Sequence, residues 1–169
     1  MALVHCTGAG EPLNESVIRT WEKMTDGIQI YDGYGQTETI LLCANQKANR
    51  VKPGSMGKPI PGVPLFVIDN KGSECEVGKE GDIAIEIDEE MKEGKEVFFG
   101  IFDGYIDKET GRLDRRIKRW GGRAYYLSGD RGSRDEDGYF WFVGRSDDVI
   151  NSSGYRIGMW CPSEMKCLC

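Results

Sequence analysis

Apolar side chains recur at helical spacing near the start of the chain, between residues 14 and 26. Four of them fall on one face of the predicted helix: Val17, Ile18, Trp21 and Met24. Asn14 precedes them and suits the N-cap, because its side-chain oxygen can accept a backbone N–H of the first turn. Gly27 predicts the end of this helix, and residues 28–31 then have the apolar character of a short buried strand.

From residue 50 to residue 140 the pattern changes to short apolar runs separated by glycine and proline. Such runs predict β-strands, at residues 63–69, 82–87, 97–102, 123–127 and 139–143. Turns are predicted at residues 70–72 and 134–138, where Asn, Asp and Gly cluster. The charge-dense segment 86–96 is predicted to be a solvated loop or the end of a hairpin. One helix followed by a β-rich region indicates part of an α/β enzyme domain.

The composition limits the kinds of partner. The chain has 169 residues, with 22 Lys and Arg against 28 Asp and Glu, and a formal net charge of −6. This charge provides no basic field for nucleic acid or an anionic membrane, so a polyanionic small molecule would need local N–H groups, arginines and a divalent metal. The longest aliphatic run, residues 40–44, is far too short to span a membrane. The first residues show no targeting pattern.

Six cysteines are present: Cys6, Cys43, Cys75, Cys161, Cys167 and Cys169. None forms a C-x-x-C pair, which favours free thiols in a reducing compartment over a disulfide framework. The last three cysteines, with His5 as the only histidine, could form a soft-metal site. A loose tail is the favoured interpretation, because no second cluster stands at a ligand spacing.

Four polar islands interrupt these elements, at residues 8–12, 31–39, 127–132 and 144–158. In the first, GAGEP, two glycines permit a flat ring to approach the backbone, although a simple loop before the helix is the favoured interpretation. In the second, YDGYGQTET, Thr37 can donate to a phosphate oxygen and Glu38 is a carboxylate suited to Mg²⁺. A plain turn after the strand explains the second island equally well.

The third and fourth islands offer charged side chains. Asp130 in LSGDRG follows a predicted strand, where it could accept two hydrogen bonds from a vicinal diol such as that of ribose; an ordinary β-turn is the simpler explanation. In GRSDDVINSSGYRIG, Arg145 could reach a ribose or phosphate, and Arg156 could hold a phosphate through a bidentate fork. Asp147 and Asp148 repel each other, so at least one of them should be exposed.

Taken together and in this order, the islands resemble the adenylate-forming (AMP-binding) superfamily, which includes acyl-CoA synthetases, luciferase-like enzymes and peptide-synthetase adenylation domains. Within it, the chain is most similar to the medium-chain acyl-CoA ligases. The resemblance rests on five segments: YDGYGQTET, VKPGSMGKPIPG (51–62), SGDRG, DEDGYFWFVGRSDDVI (135–150) and SSGYRIG (152–158). It extends from about residue 3 to residue 158.

The resemblance implies where a nucleotide would bind. Three residues would lie along the adenine: Gly10, Glu11 and Pro12. Six would line the AMP and acyl pocket: Asp32, Gly33, Tyr34, Gly35, Gln36 and Thr37. The ribose hydroxyls would be held by Asp130, with Arg145 as its partner. The residues of catalysis would be Thr37 and Arg156 on the phosphate and Glu38 as the ligand of Mg²⁺.

The implied reaction is a ligation in two steps. A medium-chain fatty carboxylate attacks the α-phosphorus of ATP to give an acyl-adenylate and pyrophosphate, and the thiol of coenzyme A then displaces AMP. Coenzyme A would meet Ser153, Gly154 and Tyr155, beyond a hinge at Asp147. Such chemistry depends on charge neutralisation and positioning and needs no protein nucleophile. Medium-chain ligases of this type are enzymes of the mitochondrial matrix.

The chain also departs from the family pattern. It has no Ser/Thr/Gly-rich segment ending in Lys, the match stops before the late lysine that promotes adenylation, and residues 107–123 are longer and more basic than the family loop. We therefore expect a fragment that is inactive alone, with an α/β fold that is the C-terminal part of the large adenylate-forming domain up to the hinge.

The expected division has four parts: the end of the nucleotide-binding subdomain (1–62), a β-rich subdomain (63–143), the hinge segment (144–158) and an unmatched tail (159–169). Two alternatives to the medium-chain ligase stay open. One is another adenylate-forming ligase, and the other is a non-catalytic interaction module derived from such an enzyme.

Overall fold

The computed structural model describes residues 3–87, 100–146, 149–152 and 155–158. These residues form one helix, α1 (Glu15–Met24), and short strands that pair into sheets. In chain order the strands are β1 (Cys6–Ala9), β2 (Ile30–Gly35), β3 (Leu41–Ala44), β4 (Lys58–Pro59), β5 (Leu65–Ile68), β6 (Gly81–Ile87), β7 (Tyr105–Ile106), β8 (Leu113–Asp114), β9 (Ile117–Trp120), β10 (Arg123–Arg134), β11 (Phe140–Arg145), β12 (Val149–Ser152) and β13 (Tyr155–Gly158). No helix within these ranges is long and apolar enough to cross a membrane.

The predicted helix is confirmed and begins at its predicted cap. The Asn14 side chain accepts the N–H of Ser16 at 2.8 Å, which satisfies one of the free donors of the first turn. The predicted apolar face is only partly buried, because Ile18 is buried whereas Val17 and Met24 are 51% and 79% exposed. Helix α1 packs against β2, and Ile18 is its one buried residue.

Strands β1 to β4 form a four-stranded sheet in that order. β1 and β2 are parallel, and the other neighbours are antiparallel. The strand predicted at residues 28–31 begins at Ile30 and continues to Gly35, so residues 31–35 of the second polar island are strand. The physical reason is close pairing with the next strand: a Cβ at Gly35 would lie 2.5 Å from the carbonyl oxygen of Ile40. Glycine here makes room for a neighbouring backbone.

The second sheet has five strands in the order β11-β10-β6-β5, with β9 also paired to β10. Because successive side chains of a strand point to opposite faces, the sheet buries residues on both sides. One face contributes to the main core, with Leu65, Val67, Ile83, Ile85 and Tyr126. The other face holds a smaller cluster of Ile68, Ala84 and Tyr125, covered by Phe66, Trp120 and Leu127.

Most predicted strands of this region are confirmed. The strands predicted at residues 63–69, 82–87 and 139–143 correspond to β5, β6 and β11, whose bounds differ from the predicted ones by one or two residues. The strand predicted at 123–127 is too short, because β10 continues through the third polar island to Arg134. Of the strand predicted at 97–102, the structure describes residues 100–102, where Ile101 forms an isolated bridge with Thr39. Residues 88–96 of the predicted loop lie outside the described residues.

The two sheets meet along a seam and share one core. The N–H of Met56 donates to the carbonyl of Phe140 at 2.9 Å, and the N–H of Phe140 donates to the carbonyl of Gly57 at 2.9 Å. The main core contains buried side chains from both sheets, among them Leu42, Cys43, Val67 and Ile83. The division of the chain into four parts stays a prediction, and the core crosses its first boundary.

Lys52 links this seam to the turn before β11 through two ion pairs. Its ammonium lies 2.7 Å from Asp135 Oδ2 and 2.6 Å from Asp137 Oδ2. It also lies 4.5 Å from the centre of the Tyr139 ring, and Lys58 lies 4.9 Å from the centre of the same ring. Burial would raise the pKa of Asp135, but hydrogen bonds, chiefly from Lys52, hold it at about 2. The carboxylate therefore stays charged.

The prediction of free thiols is confirmed for Cys6, Cys43 and Cys75. Cys161, Cys167 and Cys169 lie outside the described residues. Burial raises the pKa of the Cys43 thiol above its ordinary value, so this side chain stays protonated in the core. Cys43 therefore behaves as a small apolar residue there.

A methyl group at Gly57 is expected to disrupt the seam. Gly57 has a φ of +87°, and a Cβ there would lie 1.8 Å from the carbonyl carbon of Ala44. Gly57→Ala should therefore lose on the order of 4 kcal/mol of unfolding free energy, or fail to fold.

Gly62→Ala is the matched control. Gly62 has a similar φ of +85° with nothing within 4 Å of an added Cβ, so the change should cost only about 1–2 kcal/mol of backbone strain. Urea unfolding followed by circular dichroism measures both variants. Equal losses at the two positions would contradict the role given to Gly57.

Candidate functional site

The first three polar islands meet in one cleft of about 780 Å³, and the fourth reaches it through Arg145. Parts of β1, β2, β10 and β11 and the loops after β1 and β2 line this cleft. Its lining includes most positions predicted to bind a nucleotide: Gly10, Glu11, Pro12, Asp32, Gly33, Tyr34, Gly35, Gln36, Thr37, Glu38, Asp130 and Arg145. Residues that are far apart in the sequence therefore come together in the fold.

The Asp130 carboxylate is the centre of the polar contacts in the cleft. Asp130 is only 4% exposed. Its Oδ1 accepts from Arg145 Nη1 at 3.0 Å. Its Oδ2 accepts from the Tyr34 hydroxyl and from the Gln36 side-chain amide, both at 2.6 Å. This buried charge is compensated by a cation and by hydrogen bonds on both oxygens, as a buried carboxylate requires.

A β-bulge in β10 presents Asp130 to the cleft. The register of β10 against β6 shifts between residues 127 and 131, and Gly129 has a φ of +77°. The N–H of Asp130 donates to Ser128 Oγ at 3.1 Å, and Ser146 donates to the Gly129 carbonyl through both its N–H and its hydroxyl. The interpretation of this island as a β-turn at a strand end was wrong, because a bulge bends the strand without ending it.

Tyr34 stays protonated and acts as a donor. Burial, together with the nearby charge of Asp130, raises the pKa of Tyr34 well above its ordinary value. A charged tyrosinate beside a buried carboxylate would be strongly unfavourable. The hydroxyl therefore keeps its proton for the hydrogen bond to Asp130.

Asp32 is a second buried carboxyl group on the cleft wall. It is 8% exposed, and its Oδ1 accepts the N–H of Gly33 at 3.0 Å. Burial raises the pKa of Asp32 to about 6, although the Gly33 N–H acts in the opposite direction. Gly8 leaves the space this carboxyl group needs, because a Cβ there would lie 3.2 Å from Asp32 Oδ1.

Residues 36–39 form a hydrogen-bonded turn, so the plain-turn interpretation is confirmed for this part of the second island. The Thr39 N–H donates to the Gln36 carbonyl at 3.0 Å, and the Gln36 N–H donates to Thr39 Oγ1 at 3.0 Å. Thr37 is exposed at the tip of this turn, and Glu38 is half-buried beside it. The same turn lines the cleft.

Tyr105 is a partner of Glu38 that sequence reasoning missed. Its hydroxyl donates to Glu38 Oε1, and the N–H of Phe102 donates to the Glu38 carbonyl at 2.8 Å. The ring of Phe102 lies 4.8 Å from that of Tyr105, and the Arg116 guanidinium lies 4.6 Å from the Tyr105 ring centre. No motif connects positions 38 and 105, because their contact depends on the tertiary path of residues 100–106.

The described residues contain no group of three or more His, Cys, Asp or Glu side chains that could hold a metal ion. Glu38 is a carboxylate at the cleft without such a group around it. Mg²⁺ is usually bound through one or two protein carboxylates, with phosphates and waters as its other ligands. The donor set therefore fits a Mg²⁺ ion that arrives with a nucleotide better than a permanent metal site.

The predicted contacts of five site residues involve atoms that the structure does not describe. Tyr155 and Arg156 lie in β13, which pairs with β12. Ser153, Gly154 and the predicted hinge at Asp147 lie outside the described residues. Conversely, the cleft has lining residues to which the motifs assigned no role. Four of them lie within the quoted segments and two follow directly after the second island: Ala9, Thr39, Met56 and Phe142, and Ile40 and Leu41.

A second cavity of about 650 Å³ adjoins the cleft. Both spaces are lined by Ala9, Gly33 and Leu41, so they meet over the first three strands of the four-stranded sheet. The surface of this second cavity is mostly apolar. His5 and Tyr31 also line it, and their rings stack with centroids 4.8 Å apart.

Comparison with known protein families agrees with this arrangement. Residues 2–92 match the AMP-binding enzyme family, which is more than half of the 169 residues. The chain belongs to the AMP-binding enzyme family. The resemblance to adenylate-forming enzymes that the motifs predicted is therefore confirmed.

The curated relatives are acyl-coenzyme A synthetases. The chain is 48% identical over 157 residues to the mitochondrial acyl-coenzyme A synthetase ACSM3 of Mus musculus. It is 45% identical over 159 residues to the mitochondrial acyl-coenzyme A synthetase ACSM4 of Homo sapiens. Each match covers 93% of this chain and 25% of the relative, so the chain spans about a quarter of the length of these relatives.

Solved structures of adenylate-forming enzymes share the fold. The acyl-CoA synthetase of Brucella canis is 38% identical with a TM-score of 0.65, over 90% of this chain and 26% of that one. The anthranilate CoA ligase AuaEII, solved with anthranoyl-AMP, is 28% identical with a TM-score of 0.65, over the same shares. The predicted fold class, part of the α/β adenylate-forming domain, is confirmed.

Ionisation of Asp32 is expected to lower the free energy of unfolding as the pH rises. Its pKa in the folded chain is about 6, above the value of about 4 expected when unfolded. The folded chain therefore binds this proton more tightly, and the stability it contributes at low pH is lost as the pH rises from about 4 to about 6.

Asp32→Asn tests this expectation, because Asn cannot ionise. At about pH 7.5 the variant should be more stable than the parent by about 2–3 kcal/mol, and at about pH 4.5 this advantage should fall to about 1 kcal/mol or less. Urea unfolding at both pH values gives the difference, with Asp82→Asn, outside the cleft, as the control. An advantage of equal size at the two pH values would rule out ionisation of Asp32 as its cause.

Proposed function

We propose that this chain supplies the nucleotide-binding part of an enzyme that activates a medium-chain fatty acid with ATP and transfers it to coenzyme A through an acyl-adenylate. The observation that carries the proposal is the buried Asp130–Arg145 pair, which faces the same cleft as turn 36–39 and the loop after β1. The similarity to curated acyl-coenzyme A synthetases supports it.

The proposed adenosine site uses groups whose chemistry suits it. The Asp130 carboxylate accepts the ribose hydroxyls, and Arg145, which it holds at 3.0 Å, adds a donor. The adenine ring lies along the backbone of Gly10, Glu11 and Pro12. Gly10 has a φ of +99° and nothing within 4 Å of an added Cβ, so the backbone there is open to a flat ring.

The proposed phosphate site is the tip of turn 36–39. The exposed Thr37 hydroxyl donates to an α-phosphate oxygen, and Glu38 is a ligand for Mg²⁺, with its carboxylate oriented by Tyr105. Mg²⁺, when bound, neutralises phosphate charge and so favours attack on the α-phosphorus. Arg156 is a second proposed phosphate donor. The fatty acid carboxylate is the nucleophile, so the chain needs only to position and to stabilise charge.

The mostly apolar cavity beside the cleft is the proposed acyl site. A fatty acid whose chain lies there would have its carboxylate near Gly33, where the two spaces meet. Each buried methylene would contribute about 0.8 kcal/mol to binding. An apolar cavity of this kind supports a fatty acid over a polar acid as the substrate.

Two further parts of the proposal rest on similarity alone. Coenzyme A is proposed to meet Ser153, Gly154 and Tyr155. The mitochondrial matrix is proposed as the location, because curated relatives are named as mitochondrial.

An aryl-acid ligase is the second candidate. One structural relative is an anthranilate CoA ligase, and the His5–Tyr31 stack would offer an aromatic acid a flat surface in the second cavity. Both candidates use the same nucleotide cleft, so the acid alone distinguishes them. A non-catalytic interaction module, the third possibility, would bind neither acyl-adenylate.

Calorimetric titration of the purified chain with a non-hydrolysable medium-chain acyl-adenylate analogue and Mg²⁺ tests the proposal. Saturable binding is expected, and Asp130→Ala should abolish it. Thr37→Val should weaken it about tenfold, the effect of losing one hydrogen bond to a charged group. The same titration with a benzoyl-adenylate analogue compares the two ligase candidates.

Two controls make the result decisive. Asp130→Ala leaves Arg145 buried without its carboxylate, a change that costs about 3–5 kcal/mol, so its folding is checked by circular dichroism. Thr37 is exposed, so Thr37→Val tests the site without that cost, and Asp82→Ala should bind like the parent chain. A folded parent chain that binds neither analogue would refute the proposal and favour the interaction module.

A further inference from the structure

Residues 105–123 concentrate positive charge in a chain that is acidic overall. They contain seven of its 22 Lys and Arg residues but only three of its 28 Asp and Glu residues. Their net charge is therefore +4, and the rest of the chain carries −10 within the total of −6. All seven basic residues are exposed: Lys108, Arg112, Arg115, Arg116, Lys118, Arg119 and Arg123. The total charge gives no indication of this basic surface, whose local field depends on its own charges.

Most of these cations lack a carboxylate partner within the described part of the chain. Arg123 is paired with Glu86, whose Oε1 lies 2.6 Å from Arg123 Nε. The carboxylate of Asp107 accepts bonds from its own turn, from the N–H and the hydroxyl of Thr110 at 2.7 Å each. Ion pairs among the described residues leave out five of the seven cations: Lys108, Arg112, Arg115, Arg116 and Lys118. These five are therefore available to an anionic partner from outside.

An exposed apolar pair lies in the same surface. Ile106 of β7 and Leu113 of β8 are direct partners in the register of this hairpin, so their side chains lie on one face of it. They are 71% and 47% exposed. The hairpin that presents them is closed by the Asp107 N–H, which donates to the Arg112 carbonyl at 2.8 Å. Aliphatic side chains exposed to water beside several cations are the composition of a surface that lies at a bilayer interface.

Nucleic acid fits this surface less well than a bilayer does. Its phosphates would attract the cations, but neutralising the phosphates leaves Ile106 and Leu113 in water. A bilayer with anionic lipids uses both features, since its headgroups attract Lys and Arg and its acyl boundary takes up aliphatic side chains. The cations and the exposed apolar pair together therefore favour a bilayer as the partner.

We propose that residues 105–123, the hairpin surface, bind a lipid bilayer that contains anionic lipids. The basic side chains contact the headgroups, and Ile106 and Leu113 enter the boundary between headgroups and acyl chains. The inference goes beyond the proposed function, which needs no membrane. The Tyr105 hydroxyl donates to Glu38 of the cleft, so a chain held on a bilayer by this surface would have its cleft close to the bilayer, in which fatty acids dissolve.

Flotation of the purified chain with lipid vesicles tests the proposal. Vesicles of one part phosphatidylglycerol to two parts phosphatidylcholine should bind the chain at least about tenfold more tightly than vesicles of phosphatidylcholine alone. Added salt should weaken this binding, because the charges of the hairpin surface are exposed and salt screens exposed charges.

Removing three cations together should abolish the preference for anionic vesicles. The variant with Arg112→Gln, Arg115→Gln and Lys118→Gln should bind them about a hundredfold more weakly, since each basic residue near an anionic surface contributes a factor of about five. Its matched control has the same net charge and should bind within about threefold of the parent, because it leaves the hairpin surface intact. The control replaces three exposed basic residues elsewhere: Lys23→Gln, Arg50→Gln and Lys79→Gln.

Ile106→Ser with Leu113→Ser tests the apolar part of the surface. The double variant should bind anionic vesicles about tenfold more weakly, because two aliphatic side chains no longer enter the boundary, and it should keep the salt dependence of the parent. Val17→Ser with Met24→Ser is the control, since these residues of α1 are similarly exposed, at 51% and 79%, and it should bind like the parent. Circular dichroism checks that each variant is folded.

Three results would overturn the proposal. The first is equal binding, or no binding, to the two kinds of vesicle, and the second is an equal loss in the two charge variants. In the third, single-stranded RNA releases the chain from anionic vesicles and the Ile106 and Leu113 double variant binds like the parent, which would assign the surface to nucleic acid. The acyl-adenylate titration separates these results from the proposed function, because the variant at positions 112, 115 and 118 should bind that analogue like the parent chain.

Discussion

The ion pair between Asp130 and Arg145, completed by Tyr34 and Gln36 on the second carboxylate oxygen, is the contact on which the cleft depends. Tyr34 belongs to the four-stranded sheet, whereas the ion pair belongs to the five-stranded one, so a single carboxylate joins the two sheets where they face the cleft. Breaking a buried pair from one side is far more costly than breaking a surface pair. The contacts that compensate this buried charge therefore also fix the geometry of the cleft.

The fold also depends on glycines at positions where two backbone segments lie close together. Gly35 accommodates the carbonyl of Ile40, and Gly57 accommodates the backbone of Ala44 at the seam. The glycine-rich stretch 31–39 is thus tightly packed on one side and open to the cleft on the other. Because side chains are absent on the packed side, the strand can lie close to its neighbour and still expose the turn at Thr37.

Local patterns in the sequence predicted local structure well. The spacing around Ile18 and the cap at Asn14 predicted α1, and short apolar runs between glycines and prolines predicted β5, β6 and β11, since these elements follow from neighbouring residues. The bulge at Asp130 and the Tyr105–Glu38 contact could not be predicted, because each depends on a strand from elsewhere in the chain. The family could be recognised from the order of its motifs, whereas the roles given to Thr37, Glu38 and the residues of β13 stay predictions.

The long separation between the partners at the cleft has a consequence for how the chain folds. The hydrogen bond from Tyr34 to Asp130 spans 96 positions, and that from Tyr139 to the Arg50 carbonyl spans 89. Contacts of this kind must close long loops, which makes folding slow and places them late in it. During synthesis, Tyr34 and Gln36 lack their acceptor until β10 has left the ribosome. The cleft can therefore form only after most of the described chain has been synthesised.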